Sequence, residues 1–152
     1  MREETRAMSA GAPFRRILVA VDGSDVSMRA MAHAVRMAKE EGSELYVVHV
    51  VPSPPFEYQG EVADYFDQAR ASAARWMKSV ESEAAKRSLA VRTEIIVGAS
   101  SVVDTIVGYA DAISCELIVT GTRGRTPSAH VLVGSVAIGL VQAATCPVLV
   151  VR

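Results

Sequence analysis

The residues best placed by type and spacing to do chemistry are Gly121-Thr122-Arg123-Gly124-Arg125-Thr126-Pro127, followed further on by Gly134-Ser135. Two glycines three positions apart, directly after an apolar run, let main chain come close to a ligand because no Cβ intrudes. Gly134 would cost roughly 1 kcal/mol inside one continuous helix. It therefore reads as a break, with Ser135 capping a fresh helix from about Val136 to Ala144. The start of a helix presents unpaired N–H groups and a positive partial charge, which suit phosphate oxygens. Arg123 and Arg125 would add charge nearby. A turn plus a helix break needed only for packing accounts for the same residues, and spacing alone leaves both readings open.

Other chemistries fit less well. A P-loop needs Gly-x4-Gly-Lys-Ser/Thr; Gly134 and Gly139 have the glycine spacing, but Leu140 stands in place of the lysine. A dinucleotide fingerprint would put three glycines in the first strand-to-helix turn, where only Gly23 is present. A phospho-acceptor receiver would end its first and third strands in acids and its fifth in lysine. Here Asp22 stands alone, Val97-Gly98 ends the third run, and Arg152 closes the chain. Asp22 can also serve simply to stabilise the turn with Gly23-Ser24. His33, His49 and His130 have no second ligand at metal spacing, and His49 reads as a packing or hydrogen-bonding residue of a strand. No nucleophile–base pair or carboxylate cluster emerges as hydrolytic machinery.

These residues need a frame, and the chain supplies alternating elements. Ile17–Val21, Leu45–Val51, Val91–Val97, Glu116–Thr120 and Val148–Val151 are short apolar runs, each bounded by Gly, Pro, Asp or Ser, as strands buried on both faces should be. Between them, helical spacing predicts helices over 25–41, 61–88, 101–113 and 136–144, with Gly42 stopping the first and Ser101 with Asp104 resembling a capping box for the third. Trp76, Met77 and Phe66 read as core. The order β-α-β-α-β-α-β-α-β, with apolar rather than alternating strands, predicts an α/β single domain: a five-stranded parallel sheet with helices on both faces. Ligands of such sheets sit beyond the carboxyl ends of strands, which directs attention to Asp22, Val50, Gly98 and Gly121.

Composition bounds the function. At 152 residues, 50% hydrophobic and 22% charged, the chain is one folded domain rather than a disordered segment or a coiled coil. Sixteen basic residues against seventeen acidic ones leave a formal charge of −1, so no bulk attraction to nucleic acid or anionic membrane is expected. Cys115 and Cys146 have no paired or metal-like spacing; they read as buried thiols in a reducing cytoplasm. Residues 1–13 carry charges of both signs and no apolar core, which predicts a flexible arm before a domain at 14–152. Val131–Val151 is uncharged, but Gly134, Gln142 and Pro147 favour a short helix and a buried strand over a membrane span.

The spacing Gly121-x2-Gly124-x9-Gly134-Ser135 resembles the nucleotide-binding signature of the universal stress protein family. The opening Arg16-Ile17-Leu18-Val19-Ala20-Val21-Asp22-Gly23-Ser24, the run Leu45-Tyr46-Val47-Val48-His49-Val50 and the closing Cys146-Pro147-Val148-Leu149-Val150-Val151 extend the resemblance over about residues 14 to 152. It implies an adenine nucleotide alpha hydrolase-like fold and ATP as ligand, with Mg²⁺ carried by the nucleotide. By the same resemblance Ala20 would belong to the ATP site, Asp22 would meet the ribose or adenine side, and the backbone of Val50 the adenine. Gly121, Arg123 and Gly124 would border ribose and phosphates, while Gly134, Ser135 and Val136 would hold the phosphate tail. It further implies a nucleotide-responsive regulatory module that pairs as a homodimer. The apolar terminal strand Val148–Val151 supplies an open edge for that pairing. The alternatives are a slow ATPase or nucleotide-transfer enzyme, and a stress-associated interaction protein that does not need nucleotide.

Overall fold

The computed structural model describes residues 14–123 and 133–152; the expected N-terminal arm and part of the glycine-rich stretch, Gly124 included, lie outside them. Among the described residues nine elements alternate: β1 (Arg16–Ala20), α1 (Asp25–Glu41), β2 (Glu44–Pro52), α2 (Val62–Lys86), β3 (Val91–Ala99), α3 (Val102–Ala112), β4 (Leu117–Gly121), α4 (Ser135–Ala143) and β5 (Val148–Val151). All strand pairs are parallel, in the order β3-β2-β1-β4-β5. The expected five-stranded α/β sheet is therefore present.

Strand alternation divides the core into two layers. Ile17, Val19, Leu45, Val47, Leu117 and Val119 face α1 and α2, where Ala30, Ala34, Ala38, Met77 and Val80 meet them. Leu18, Ala20, Tyr46, Val48, Val50 and Ile118 face the opposite layer and pack on Ile106 and Ala110 of α3 and Leu140 of α4. With helices on both faces the central strands are apolar at most positions, which is why these runs do not alternate in sequence. Met77 is core as expected, while Trp76 and Phe66 are only partly buried.

The helix ends follow their local chemistry. Ser24 caps α1 by accepting the Ser27 N–H, and Gly42 ends it in the left-handed conformation at φ 72°. Ser101 caps α3 through the Asp104 N–H. At α4 the expectation shifts by one residue: Gly134 is the cap, with no side-chain hydrogen bond, and Ser135 is the first helical residue. β3 also runs through Gly98 to Ala99 rather than stopping, because Gly98 adopts φ 80° and the register with β2 shifts beside Val51 and Pro52. Cys115 and Cys146 are half-buried rather than fully enclosed. Among the described residues no helix is long and apolar enough to cross a membrane; the uncharged C-terminal stretch contributes α4 and β5 instead.

Candidate functional site

The chain reverses direction of travel across the sheet at β1: β2 and β3 lie on one side, β4 and β5 on the other. Connections leaving β1 and β4 consequently diverge, and a cleft opens beyond their carboxyl ends. It has a volume of about 650 Å³, within the usual range for small-molecule sites. The floor comes from the ends of β1 and β2, with Ala20, Val21, Asp22 and Val50. One wall is apolar, from Val102 and Ile106 of α3; the other is the end of β4 and the start of α4.

Of the residues singled out in the sequence, Ala20, Asp22, Val50, Gly121, Arg123, Gly134, Ser135 and Val136 all line this one cleft. Gly124 lies outside the described residues. Gly98 is not part of the cleft; it belongs to the edge strand β3, and an added Cβ there would meet Phe66. An edge strand lies away from the reversal at β1, so its carboxyl end does not border the opening.

The cleft's rim at β4 and α4 is tied together by main-chain hydrogen bonds. Thr122 N–H donates to the Val151 carbonyl at 2.7 Å, and the Thr122 carbonyl accepts the Gly134 N–H. That one peptide segment ties the end of β5 to the start of α4 and holds α4's N-terminus at the rim. The first-turn N–H groups of α4 have no intrahelical acceptor, and the N-cap Gly134 has no side chain to accept from them. They add a positive partial charge to the rim. Gly121 contributes differently from expectation. Its missing Cβ faces α1, so the glycine there serves helix–strand packing.

Asp22 has two roles in the same place. Its Oδ1 accepts the Ser24 N–H at 2.9 Å, fixing the turn into α1, and the residue also lines the cleft. The turn function weighed for it in the sequence is thus real, without excluding the ligand function. His49, which read there as packing, packs edge-on to Trp76 and also borders the cleft. The α3 wall was not anticipated, since Val102 and Ile106 look like ordinary core positions of an amphipathic helix. Nothing in their spacing marks them, because only the sheet order brings α3 over the end of β2.

Residues 13–152 match the universal stress protein family. The chain belongs to this family. Universal stress protein MJ0531 of Methanocaldococcus jannaschii is 34% identical over 142 residues, covering 91% of this chain and 82% of that protein. Among solved structures, universal stress protein UspA from Lactobacillus plantarum superposes with a TM-score of 0.82 at 30% identity, covering 90% of this chain and 97% of that one. The universal stress protein from Archaeoglobus fulgidus in complex with dAMP has a TM-score of 0.64 at 26% identity, covering 90% and 97%. The fold is accordingly the adenine nucleotide alpha hydrolase-like α/β fold.

Proposed function

We propose that this universal stress protein binds an adenine nucleotide, ATP foremost, in the cleft beyond β1 and β4, and acts as a nucleotide-responsive regulatory module. The observation that carries this reading is the convergence of eight sequence-selected residues on one opening with an apolar wall and a polar rim. A flat, largely apolar base suits Val50, Val102 and Ile106; an anionic tail suits the N-terminus of α4 and Arg123. The dAMP complex of the A. fulgidus protein supports the adenine class.

Mg²⁺ would enter with the triphosphate and neutralise charge between its phosphates. Among the described residues no group of three or more His, Cys, Asp or Glu is arranged to hold a metal, so its ligands would be phosphate and water oxygens. The protein's share is to bind and orient. Ser135 and Val136 offer N–H groups to the tail, and Gly134, whose own N–H is held by the Thr122 carbonyl, leaves room beside them, while Asp22 and the Val50 backbone border the nucleoside. Pairing through the open edge of β5, where Leu149 is exposed, would give the module its homodimer.

Isothermal calorimetry of the intact chain with ATP and Mg²⁺ tests the reading. Saturable heat with an affinity in the micromolar to submillimolar range is expected; no heat at millimolar nucleotide would overturn it.

A further inference from the structure

Beyond its carboxyl end β1 continues one residue further alongside β2, with Val21 N–H donating to the Val48 carbonyl at 3.0 Å. The next peptide, Val21–Asp22, is then held by side chains at both ends. The Val21 carbonyl lies 2.8 Å from His49 Nδ1, and the Asp22 N–H donates to Ser27 Oγ at 3.3 Å. A carbonyl oxygen can only accept, so Nδ1 carries the proton and donates. The His49 ring is itself located by Trp76 of α2, edge-on at 5.0 Å between centroids and 78° between planes. Ser27 is fixed in turn, its hydroxyl donating to the Ser24 carbonyl at 2.9 Å.

We infer that His49 is a positioning residue: by holding the Val21 carbonyl it sets the peptide plane from which Asp22 is presented to the nucleoside end of a bound nucleotide. This rests on the nucleotide reading of the cleft and goes beyond it. The side chain of Asp22 leaves the backbone one bond past the clamped peptide. A rotation of that plane therefore swings the carboxylate, and with it the Oδ1 bond to Ser24 that forms the turn. Removing the His49 donor leaves a part-buried carbonyl without its side-chain partner and frees that rotation. Small misplacements of an orienting group are costly in binding when the rest of the site stays fixed.

The test compares His49→Leu with His49→Asn by calorimetry with ATP and Mg²⁺, alongside thermal unfolding of each variant. Both lose the imidazole–indole contact, but the asparagine amide N–H can take the place of Nδ1–H. Expected is a roughly tenfold weaker affinity for His49→Leu, the size of one lost hydrogen bond to a part-buried acceptor, and recovery to within about threefold for His49→Asn. Coupling to Asp22 supplies the second readout. On an Asp22→Ala background, His49→Leu should weaken binding no further, since a group acting through Asp22 has nothing left to orient. Should His49→Leu not fold, His49→Gln replaces it, its amide reaching the position of the ring's far nitrogen instead. Full wild-type affinity in His49→Leu, equal losses in the Leu and Asn variants, or multiplicative losses with Asp22→Ala would each overturn the inference alone. A wild-type chain that binds no ATP would overturn the nucleotide reading and this inference together.

Discussion

A Cβ added to Gly121 would stand 2.8 Å from Val26 Cγ1 and 3.2 Å from the Val26 carbonyl carbon. The last residue of β4 and the first turn of α1 thus touch main chain to main chain, with no room for a methyl group between them. This contact draws α1 onto the end of the sheet and so places the Asp22–Ser24 turn at the cleft. The glycine matters because two elements far apart in sequence meet there.

Gly121→Ala should therefore destabilise the fold by about 1–3 kcal/mol, the usual range for an overpacked site. Backbone atoms on α1 cannot rotate away as a side-chain tip could. Urea denaturation should show a lower midpoint, and nucleotide affinity should fall with it. An unchanged midpoint would mean that α1 shifts freely.

Gly134→Val should separate binding from stability. Gly134 has φ −73°, which any residue adopts, so valine brings no backbone strain. The cap loses at most about 1 kcal/mol on the usual N-cap ranking. Its branched side chain would nonetheless crowd the rim beside the α4 N–H groups. An ATP affinity at least tenfold weaker, with a melting temperature only a few degrees lower, is expected from paired calorimetry and thermal scans. Wild-type affinity in this variant would move the phosphates elsewhere.

Cys115 makes a prediction about alkaline pH. Burial, before any other influence, pushes its thiol up from 9.0 to about 12, and its Sγ–H donates to the Leu117 carbonyl at 3.0 Å. The folded state thus keeps a proton that the unfolded chain releases near its ordinary value. Stability from this group is whole below about pH 9 and is lost as pH rises toward 12. Chemical denaturation at pH 8 and pH 10.5 should show a steeper loss for the wild type than for Cys115→Ala. Equal slopes would count against the burial account.

Leu149→Lys probes the edge of the sheet. Leu149 is 36% exposed on β5, which has β4 on one side and, among the described residues, no strand on the other. A charge at the centre of an open edge disfavours pairing with a second strand. Sedimentation should show the wild type as a dimer and the variant shifted to monomer, with far-ultraviolet circular dichroism unchanged. A wild type that sediments only as a 16.2 kDa species would remove the dimer from the proposal.

Much of this protein is written locally. Five apolar runs, their Gly, Pro and Ser boundaries and the helical spacing between them were enough to predict the element order and the parallel sheet, because strands covered on both faces must be apolar throughout. The caps at Ser24, Gly42 and Ser101 are equally local, each set by residues within one helical turn. Tertiary structure alone decided the rest. Gly121 looked like an approach for a ligand, yet the space beside it belongs to Val26, a contact no spacing rule encodes. His49 looked like a strand residue, and its bond to Val21 depends on β1 and β2 lying side by side. Val102 and Ile106 became a wall only when the crossover carried α3 over the sheet. Periodicity reports which face of an element is buried, but not which neighbour covers it; that is settled by the order in which strands pair.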